Sequence, residues 1–269
     1  MRILGLGDNT IDTYVDQGLQ YPGGNAVNVA VMTHRLGAES HYLGCVGNDT
    51  GGELILSSLA KEGVGIERCR RREGENARAF IGHRDGDRYF IRSSPGVRAQ
   101  YDFQPDDFTY MASFDAVHTS IYSEIETSLS AIRPGRMLSF DFSNRWTPDY
   151  LDRVLPHCNA AFLSGSDLSD DEASDLLRRS VQAGPDIVVI TRGARPAMAI
   201  QGDSIAKQAA LPTAVVDTLG AGDAFISGLL VAVMNGRSLA DALYAAAGNA
   251  AFACREPGGF GHAAPWSAQ

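Results

Sequence analysis

The stretch DTLGAGDAF, residues 217–225, places two glycines and a carboxylate where an apolar helix begins. Unpaired backbone amides at a helix start carry the positive end of the helix dipole, and glycines let a ligand approach them closely. Gly220, Ala221 and Gly222 therefore predict an anion site that suits phosphoryl oxygens. Asp223 would repel a resting phosphate, so we expect it to accept a proton from an attacking hydroxyl. On these residues alone, an ordinary helix cap is an equally good interpretation of Asp223.

On both sides of this stretch, short apolar runs typical of strands alternate with segments that have the apolar periodicity of a helix. Residues 2–7 and 41–47 are typical of buried strands, and a helix follows each, in GGNAVNVAVMTHRLG and in GGELILSSLAKEG. Further strands are expected near 114–120, 137–143, 160–165 and 187–193, a hairpin near 197–210, and helices near 222–235 and 240–254. This alternation predicts right-handed β-α-β units and a mainly parallel sheet.

The segment NARAFIGHRDGDRYFIR, residues 76–92, breaks this pattern. It has two alternating runs around Asp85-Gly86-Asp87, and an Asp-Gly pair between such runs is a strong hairpin signal. We expect this hairpin to form part of a small β lid outside the main sheet, with another strand from residues 13–22. The organisation predicted is one domain over residues 1–269 with the lid inserted in it.

Composition and charge narrow the classes of function. Hydrophobic residues make up 44% and charged residues 20% of the 269-residue chain, and the net charge is −9. An acidic chain offers no general attraction for nucleic acid or anionic membrane, and no run reaches the about 18 apolar residues of a membrane helix. The four cysteines are far apart and form no C-x-x-C pair, which favours reduced thiols and a cytoplasmic location. They are Cys45, Cys69, Cys158 and Cys254.

Two motifs resemble one family of enzymes. DTLGAGDAFISGLL resembles the C-terminal signature of the PfkB/ribokinase family of carbohydrate kinases, and PGGNAVNVAVMTHRLGA followed by YLGCVGNDTGGELILSSLAKEGV resembles its N-terminal signature. The resemblance implies an α/β fold, a ribokinase-like three-layer sandwich with a mainly parallel sheet and a small β lid. It also implies ATP-dependent phosphorylation of a sugar hydroxyl, with Asp223 as base and the amides of 220–222 as anion hole. ATP and Mg²⁺ are then the expected cofactors.

The first motif implies where the sugar binds. Gly23 and Gly24 would bring the backbone near the ligand, while Asn25 and Asn28 would offer donors and acceptors to hydroxyls. Asp8, within GDNTID, corresponds to a carboxylate that grips sugar hydroxyls, and Asp12 is a weaker second candidate. Helix capping is the alternative role for the two asparagines.

SFDFSNRW resembles the D-x-N-x-R segment of several family members, with Asp141 and Arg145 kept and Ser143 where asparagine is frequent. Asp141 would then contact the substrate. Arg145 would stabilise the transferring phosphoryl group or bind a substrate anion, because its forked donors suit phosphate and carboxylate. An ordinary surface ion pair is the alternative for Arg145.

The nucleotide side depends on shorter matches. Thr191 and Gly193 match a T-x-G turn that contacts nucleotide phosphates, and Asn249 matches a position near the adenine or is a core amide. The segment 164–172 reads SGSDLSDDE where the family often has N-x-x-E. Ser164 or Ser166 would replace the asparagine, and Asp167 or Glu172 the glutamate, so we expect Mg²⁺ to be held mainly by nucleotide phosphates and water.

Many family members also hold a monovalent cation beside the anion hole. Asp217 and the backbone around Leu219 match one side of that site, and Gly258-Gly259 match the other. Potassium is therefore a further expected cofactor.

The substrate follows from the details of the resemblance. GDNTID, GGNAVNVAV and FDFSNRW resemble members that phosphorylate the 6-hydroxyl of a fructosamine such as fructoselysine. A kinase for ribose, fructose or ketodeoxygluconate remains open, as does a non-catalytic sugar-binding regulatory protein. So does a nucleoside kinase, for which an aromatic wall could come from Tyr14, Phe80, Phe90 or Tyr122. Since family lids often pair two subunits, a homodimer through the lid is expected.

Overall fold

The computed structural model describes residues 1–84 and 87–267, and within those ranges it contains fifteen strands and eight α-helices. The strands are β1 (Arg2–Leu6), β2 (Thr10–Tyr14), β3 (Leu19–Gly23), β4 (Glu39–Leu43), β5 (Cys45–Gly47), β6 (Arg70–Arg72), β7 (Arg78–Arg84), β8 (Asp87–Ser94), β9 (Ala116–Ser120), β10 (Met137–Asp141), β11 (Ala160–Ser164), β12 (Ile187–Arg192), β13 (Arg195–Gln201), β14 (Ser204–Gln208) and β15 (Ala264–Pro265). The helices are α1 (Asn25–Arg35), α2 (Thr50–Glu62), α3 (Pro105–Met111), α4 (Leu129–Ile132), α5 (Pro148–Val154), α6 (Asp170–Gln182), α7 (Ala221–Met234) and α8 (Leu239–Ala253).

The main sheet of the described residues has eight strands in the order β14-β13-β12-β11-β10-β9-β1-β4. Pairing is parallel from β4 through to β12, and β13 and β14 extend the sheet antiparallel. The mainly parallel sheet and the hairpin near 197–210 are confirmed. Because the parallel strands run the same way, their carboxyl ends meet at one edge, where α/β proteins bind ligands.

Helices cover both faces of this sheet. On one face, Val117 and Phe140 pack in a core shared with α3, α4, α5 and α6. On the other face, Phe162 and Val189 pack against α1, α7 and α8. Burying each such side chain stabilises the fold by roughly 1.5–3 kcal/mol. The result is the three-layer sandwich that the resemblance implies.

A second sheet carries the lid, with the strand order β15-β3-β2-β7-β8 among the described residues. The hairpin predicted over 76–92 is formed by β7 and β8, which pair antiparallel. Its predicted turn at Asp85-Gly86 lies outside the described residues. Residues 13–22 contribute parts of two strands, β2 and β3, where the sequence indicated one.

Two local expectations were wrong or incomplete. Residues 41–47 are two strands in different sheets, because β4 ends at Leu43 and β5 pairs with β6 in a separate small sheet. Gly44 between them packs so closely that an added Cβ would lie 2.0 Å from the Tyr42 hydroxyl. Helices α3 to α6 were also absent from the sequence-based expectations.

All four cysteines are free thiols in the structure. In the described ranges, none of the helices combines the length and the hydropathy of a membrane span.

Candidate active site

The carboxyl ends of β1 and β10, which lie on either side of β9, bring acidic side chains to the start of two helices. Asp141 ends β10, Asp8 follows β1, and Asp223 lies in the first turn of α7. Helix α1 begins at Asn25, directly after β3 of the lid. The predicted base and the predicted sugar motif therefore meet at the ligand-binding edge of the main sheet.

The Asp223 carboxylate faces α1 and is held by two amides. Asn25 Nδ2 donates to Asp223 Oδ1 at 2.7 Å, and Asn28 Nδ2 donates to Oδ2 at 2.6 Å. Burial raises the pKa of Asp223 to about 7, although these two hydrogen bonds oppose the rise. A carboxyl that ionises near neutral pH suits a general base, because it combines the ionised form with a useful proton affinity.

The amides at the start of α7 are partly available for an anion. Gly220 precedes the helix with φ +78°, a left-handed conformation that favours glycine. The Ala221 N–H donates to the Thr218 carbonyl at 3.2 Å, so this member of the predicted anion hole is occupied. Within the described residues, the N–H groups of Gly220, Gly222 and Asp223 have no backbone acceptor. An added Cβ at Gly222 would meet nothing within 4 Å, which leaves open space above these amides.

Both amide hydrogens of Asn25 are already used within the protein. Its Nδ2 donates to Asp141 Oδ2 at 3.0 Å as well as to Asp223, and its Oδ1 lies 2.8 Å from His118 Nε2. The Nδ1 atom of His118 lies 2.8 Å from Ser139 Oγ. Burial lowers the pKa of His118 to about 3, so the ring is neutral and donates from one nitrogen only. His118 is not among the residues predicted from the sequence, and it fixes the orientation of the Asn25 amide.

Asp8 was the first candidate for binding sugar hydroxyls and Asp12 the second, but their hydrogen bonds favour Asp12. Asp8 Oδ2 accepts the backbone N–H of Asn25 at 2.7 Å, and its Oδ1 accepts the hydroxyls of Ser120 and Ser123 at 2.8 and 3.1 Å. Asp8 thus caps α1 instead of presenting free oxygens to a ligand. Asp12 is 4% exposed and receives no hydrogen bond from the described residues. The second candidate is therefore the carboxylate with acceptor positions to offer.

The glycines of the sugar motif allow this crowding. An added Cβ at Gly23 would lie 2.2 Å from Asp12 Oδ2, and one at Gly24 would lie 2.5 Å from the Cα of Asn9.

The side-chain oxygen of Asn28 is available to a ligand, because this buried Oδ1 has no partner among the described residues. A buried acceptor without a donor is costly, so Asn28 Oδ1 is a natural partner for a ligand hydroxyl.

Arg145 is exposed and lies beside Tyr122. Its guanidinium carbon lies 5.8 Å from the centre of the Tyr122 ring, and the described residues provide it with no ion pair. The surface ion pair considered for Arg145 is therefore not found.

Asp141 is held in place by the loop after β10, because its Oδ1 accepts the Ser143 N–H at 2.8 Å. Burial, followed by the charge of Asp223, raises the pKa of Asp141 to about 7.

The residues predicted for the nucleotide lie at the ends of β11 and β12. Ser164 and Thr191 pair in register, and Gly193 follows with φ +62°. Asn249 Nδ2 donates to the Ala224 carbonyl at 2.7 Å, so this amide ties α8 to α7. Whether Asn249 also contacts adenine stays a prediction.

Segment 164–172, which differs from the family's N-x-x-E pattern, leads into the start of α6. Glu172 accepts the Ser169 N–H at 2.8 Å in a capping box, which removes it as an obvious metal ligand. Hydrogen bonds from Lys207 and Arg192 hold the pKa of Asp170 well below its usual range. In the described part of the chain, no three His, Cys, Asp or Glu side chains form a metal-binding group.

Asp217 lies before the anion hole and is surrounded by donors. Arg88 Nη1 and the Leu219 N–H donate to Oδ1 at 3.1 and 2.9 Å. The Gly258 N–H donates to Oδ2 at 2.9 Å, and the Tyr14 hydroxyl makes a short bond to the same oxygen. Burial alone would raise the pKa of Asp217, but these donors lower it below the usual value.

The four aromatic residues considered as a nucleoside wall do not converge. Tyr14 is buried and engaged with Asp217, Phe80 packs against Trp266, and Phe90 is 63% exposed. Tyr122 alone lies beside the cleft, where its hydroxyl bonds the Ser143 hydroxyl at 2.8 Å.

Comparison with known proteins agrees with this geometry. The model of the family described as pfkB family carbohydrate kinase matches residues 5–263. Fructosamine kinase FrlD of Bacillus subtilis (strain 168) is 41% identical, over 99% of this chain and 95% of that protein. Fructoselysine 6-kinase of Escherichia coli (strain K12) is 33% identical, over 88% and 91%. A fructokinase of Klebsiella pneumoniae is 34% identical, over 85% and 83%.

Solved structures share the fold. Arabidopsis thaliana ribokinase, complexed with ribose and ATP, superimposes with a TM-score of 0.83 at 20% identity, covering 96% of this chain and 94% of that one. A fructokinase with bound ATP from Xylella fastidiosa gives 0.80 at 23% identity, with the same coverage. The expected ribokinase-like architecture is thereby confirmed.

Proposed function

We propose that the substrate of this protein is a fructosamine such as fructoselysine, phosphorylated on its 6-hydroxyl. The chain belongs to the pfkB family of carbohydrate kinases and is an ATP-dependent sugar kinase. The observation that carries this proposal is the 41% identity with a fructosamine kinase over 99% of the chain. Identity with a fructokinase is lower and covers less of the chain, 34% over 85%. Fructose is accordingly the second candidate acceptor.

Asp223 would act as the base in this reaction. As the sugar oxygen bonds to the γ-phosphorus of ATP, its proton passes to the Asp223 carboxylate, and the bond between γ-phosphorus and the bridging oxygen breaks to release ADP. Asn25 and Asn28 hold both carboxylate oxygens in place for that transfer. Near pH 7 a substantial fraction of Asp223 is ionised and ready to accept the proton.

Charge on the transferring group would be stabilised from two sides. The free amides of Gly222 and Asp223, together with the dipole of α7, would stabilise one side of the phosphoryl group. The guanidinium of Arg145, which lies beside Tyr122 without an ion pair to the described residues, would stabilise the other. Asp12 and the unpartnered Oδ1 of Asn28 would accept hydrogen bonds from sugar hydroxyls.

ATP would lie along the ends of β11 and β12, against Ser164, Thr191 and Gly193. An Escherichia coli structure titled as a putative ribokinase II in complex with ATP and Mg²⁺ shares this fold at 22% identity. The described residues form no protein cage for a metal, which fits a Mg²⁺ ion held by nucleotide phosphates and water. When bound, Mg²⁺ would neutralise charge on the phosphate oxygens.

The assembly and location also remain proposals. A homodimer through the lid would cover Phe90 and Ile91 of β8, which are 63% and 49% exposed at the edge of the lid sheet. A cytoplasmic enzyme would keep its four free thiols reduced.

Nucleotide consumption with fructoselysine, fructose, ribose, ketodeoxygluconate and adenosine tests the substrate. We expect kcat/KM for fructoselysine to exceed that for fructose by about tenfold or more, since a larger matched substrate gains transition-state contacts. NMR of the product should place the phosphate on the 6-oxygen. Preference for ribose or adenosine would reject the fructosamine assignment, and turnover of none of them would favour a sugar-binding regulatory protein.

A further inference from the structure

The surroundings of Asp217 do not fit the potassium ion that the family resemblance implies. Among the described residues, the groups that hydrogen-bond its carboxylate are all donors: two backbone N–H groups, the Tyr14 hydroxyl and the Arg88 guanidinium. A monovalent cation needs oxygen lone pairs directed at it, as carbonyl oxygens provide in potassium sites. Donor hydrogens converge here instead, and one donor carries a full positive charge.

Arg88 already occupies the position of a cation beside Asp217. Its Nη1 lies 3.1 Å from Asp217 Oδ1, and the side chains are only 27% and 8% exposed. A second cation would have to enter against the repulsion of this half-buried guanidinium. Arg88 therefore balances the buried Asp217 charge without help from solution.

The ion pair also joins two parts of the molecule. Arg88 is on β8 of the lid, whereas Asp217 lies three residues before Gly220, at which the loop meets the start of α7. Tyr14 of β2 makes a second link from the lid to the same carboxylate. The lid is thereby tied to the loop that forms the anion hole.

We propose that Arg88 takes the place of the monovalent cation: it neutralises Asp217 from the lid and latches the lid onto the anion-hole loop. The enzyme then needs no potassium, and lid position and anion-hole geometry are coupled through one ion pair. The inference depends on kinase activity and not on which sugar is phosphorylated.

Two measurements in potassium chloride and in tetramethylammonium chloride of equal ionic strength test it. The first is the Tm of the ligand-free protein, which requires no substrate, and the second is kcat with whichever sugar is turned over. For the wild type, we expect the Tm to be the same in both salts and kcat to agree within about twofold. Arg88→Met should lower kcat in tetramethylammonium by about tenfold or more, with less loss in potassium if the ion fills the vacated position.

Two variants keep the test decisive. Arg88→Lys retains a cation and should remain indifferent to potassium, even if Arg88→Met folds poorly. Arg92→Met is the matched control, because Arg92 is also on β8 but stacks on Phe80 at 3.8 Å, and it should behave as wild type.

Three results would overturn the proposal. These are a wild-type kcat that potassium raises several-fold, an Arg88→Met enzyme with full turnover in tetramethylammonium, and a defect confined to the KM for the sugar. The last result would make Arg88 a substrate ligand. A folded Arg88→Met enzyme with low kcat that Arg88→Lys restores supports the latch, with or without rescue by potassium.

Discussion

Asp217 and Asp223 lie on the same loop-to-helix segment, and the structure treats them in opposite ways. Asp217 receives two backbone N–H groups, a phenol and a guanidinium, and its pKa is lowered. Asp223 receives two neutral amides, and burial raises its pKa to about 7. Asp217 is thus kept ionised at neutral pH, whereas Asp223 is kept close to the pH at which it takes up a proton.

Burial alone does not decide what a carboxylate can do. Burial acts to raise the pKa of both groups, and only at Asp217 do the hydrogen bonds and the Arg88 charge outweigh it. Asp12 and Asp141 share the condition of Asp223, since burial raises their pKa values to about 7. The cleft therefore concentrates three protonatable carboxyls beside one that stays ionised.

The largest expected effect comes from removing the protonatable group itself. Asp223→Asn should lower kcat by about a thousandfold, because an amide in place of this carboxylate cannot accept the hydroxyl proton at the start of α7, while ATP affinity changes little. Turnover and calorimetric binding of ATP measure the two quantities. Asp217→Asn is the comparison variant, and it should retain more turnover than Asp223→Asn. Near-normal turnover of Asp223→Asn would remove Asp223 as the base.

Removing one donor to Asp223 should give the next largest effect. In the wild type, kcat/KM should rise with pH and level off above about 7, since only the ionised base is active. Asn28→Ala removes the 2.6 Å hydrogen bond, raises the Asp223 pKa, and should move this rise to higher pH by about one unit. Tyr14→Phe removes a donor to Asp217 instead and should leave the rise in place. Equal shifts in both variants would contradict separate roles for the two carboxylates.

Substitutions at His118 should affect Asp223 less, because His118 contacts Asp223 only through Asn25. His118→Phe frees the Asn25 amide, so we expect kcat to fall several-fold and the rise in kcat/KM to shift upward by less than in Asn28→Ala. His118→Gln can still donate to Asn25 Oδ1 and should recover part of both. A loss of Tm with an unchanged pH profile would make His118 purely structural.

The smallest expected effect is on stability. The folded-state pKa of Asp12 is about 7 against 3.8 when unfolded, so the folded protein binds this proton more tightly. The free energy of unfolding therefore falls as pH rises from about 4 to about 7. Asp12→Asn should be more stable than wild type by roughly 1–3 kcal/mol at pH 8, and this advantage should shrink at pH 5. Urea denaturation at the two pH values checks it, and an advantage independent of pH would contradict the buried charge.

Most of the fold could be predicted from the sequence, because the periodic apolar runs that build a parallel sheet are local features. The split between β4 and β5 could not, since it depends on Gly44 lying against Tyr42 and the Gly7 carbonyl, contacts that exist only in the folded chain. Helix α6 escaped because its polar start, SDDE, was interpreted as a variant nucleotide motif instead of a capping box.

The motifs that form the candidate site could be predicted from the sequence, but what each of their residues binds in the folded chain could not. Asp8 and Asp12 differ little in the sequence, and only the fold shows that α1 begins against Asp8. His118 carries no motif at all, because its role follows from β9 running beneath α1. Arg88 belongs to a lid hairpin that sequence alone cannot orient toward Asp217.

The widely separated pKa values of Asp217 and Asp223 are tested most directly by ¹³C NMR of aspartate carboxyl groups. Spectra of wild type, Asp217→Asn and Asp223→Asn would assign the two resonances in the ligand-free enzyme. We predict that the Asp223 resonance shifts with a midpoint near 7, in a titration shared with Asp12 and Asp141, while the midpoint of the Asp217 resonance lies below the ordinary aspartate value. Titration of both carboxyls together, near the ordinary aspartate value of about 4, would contradict it.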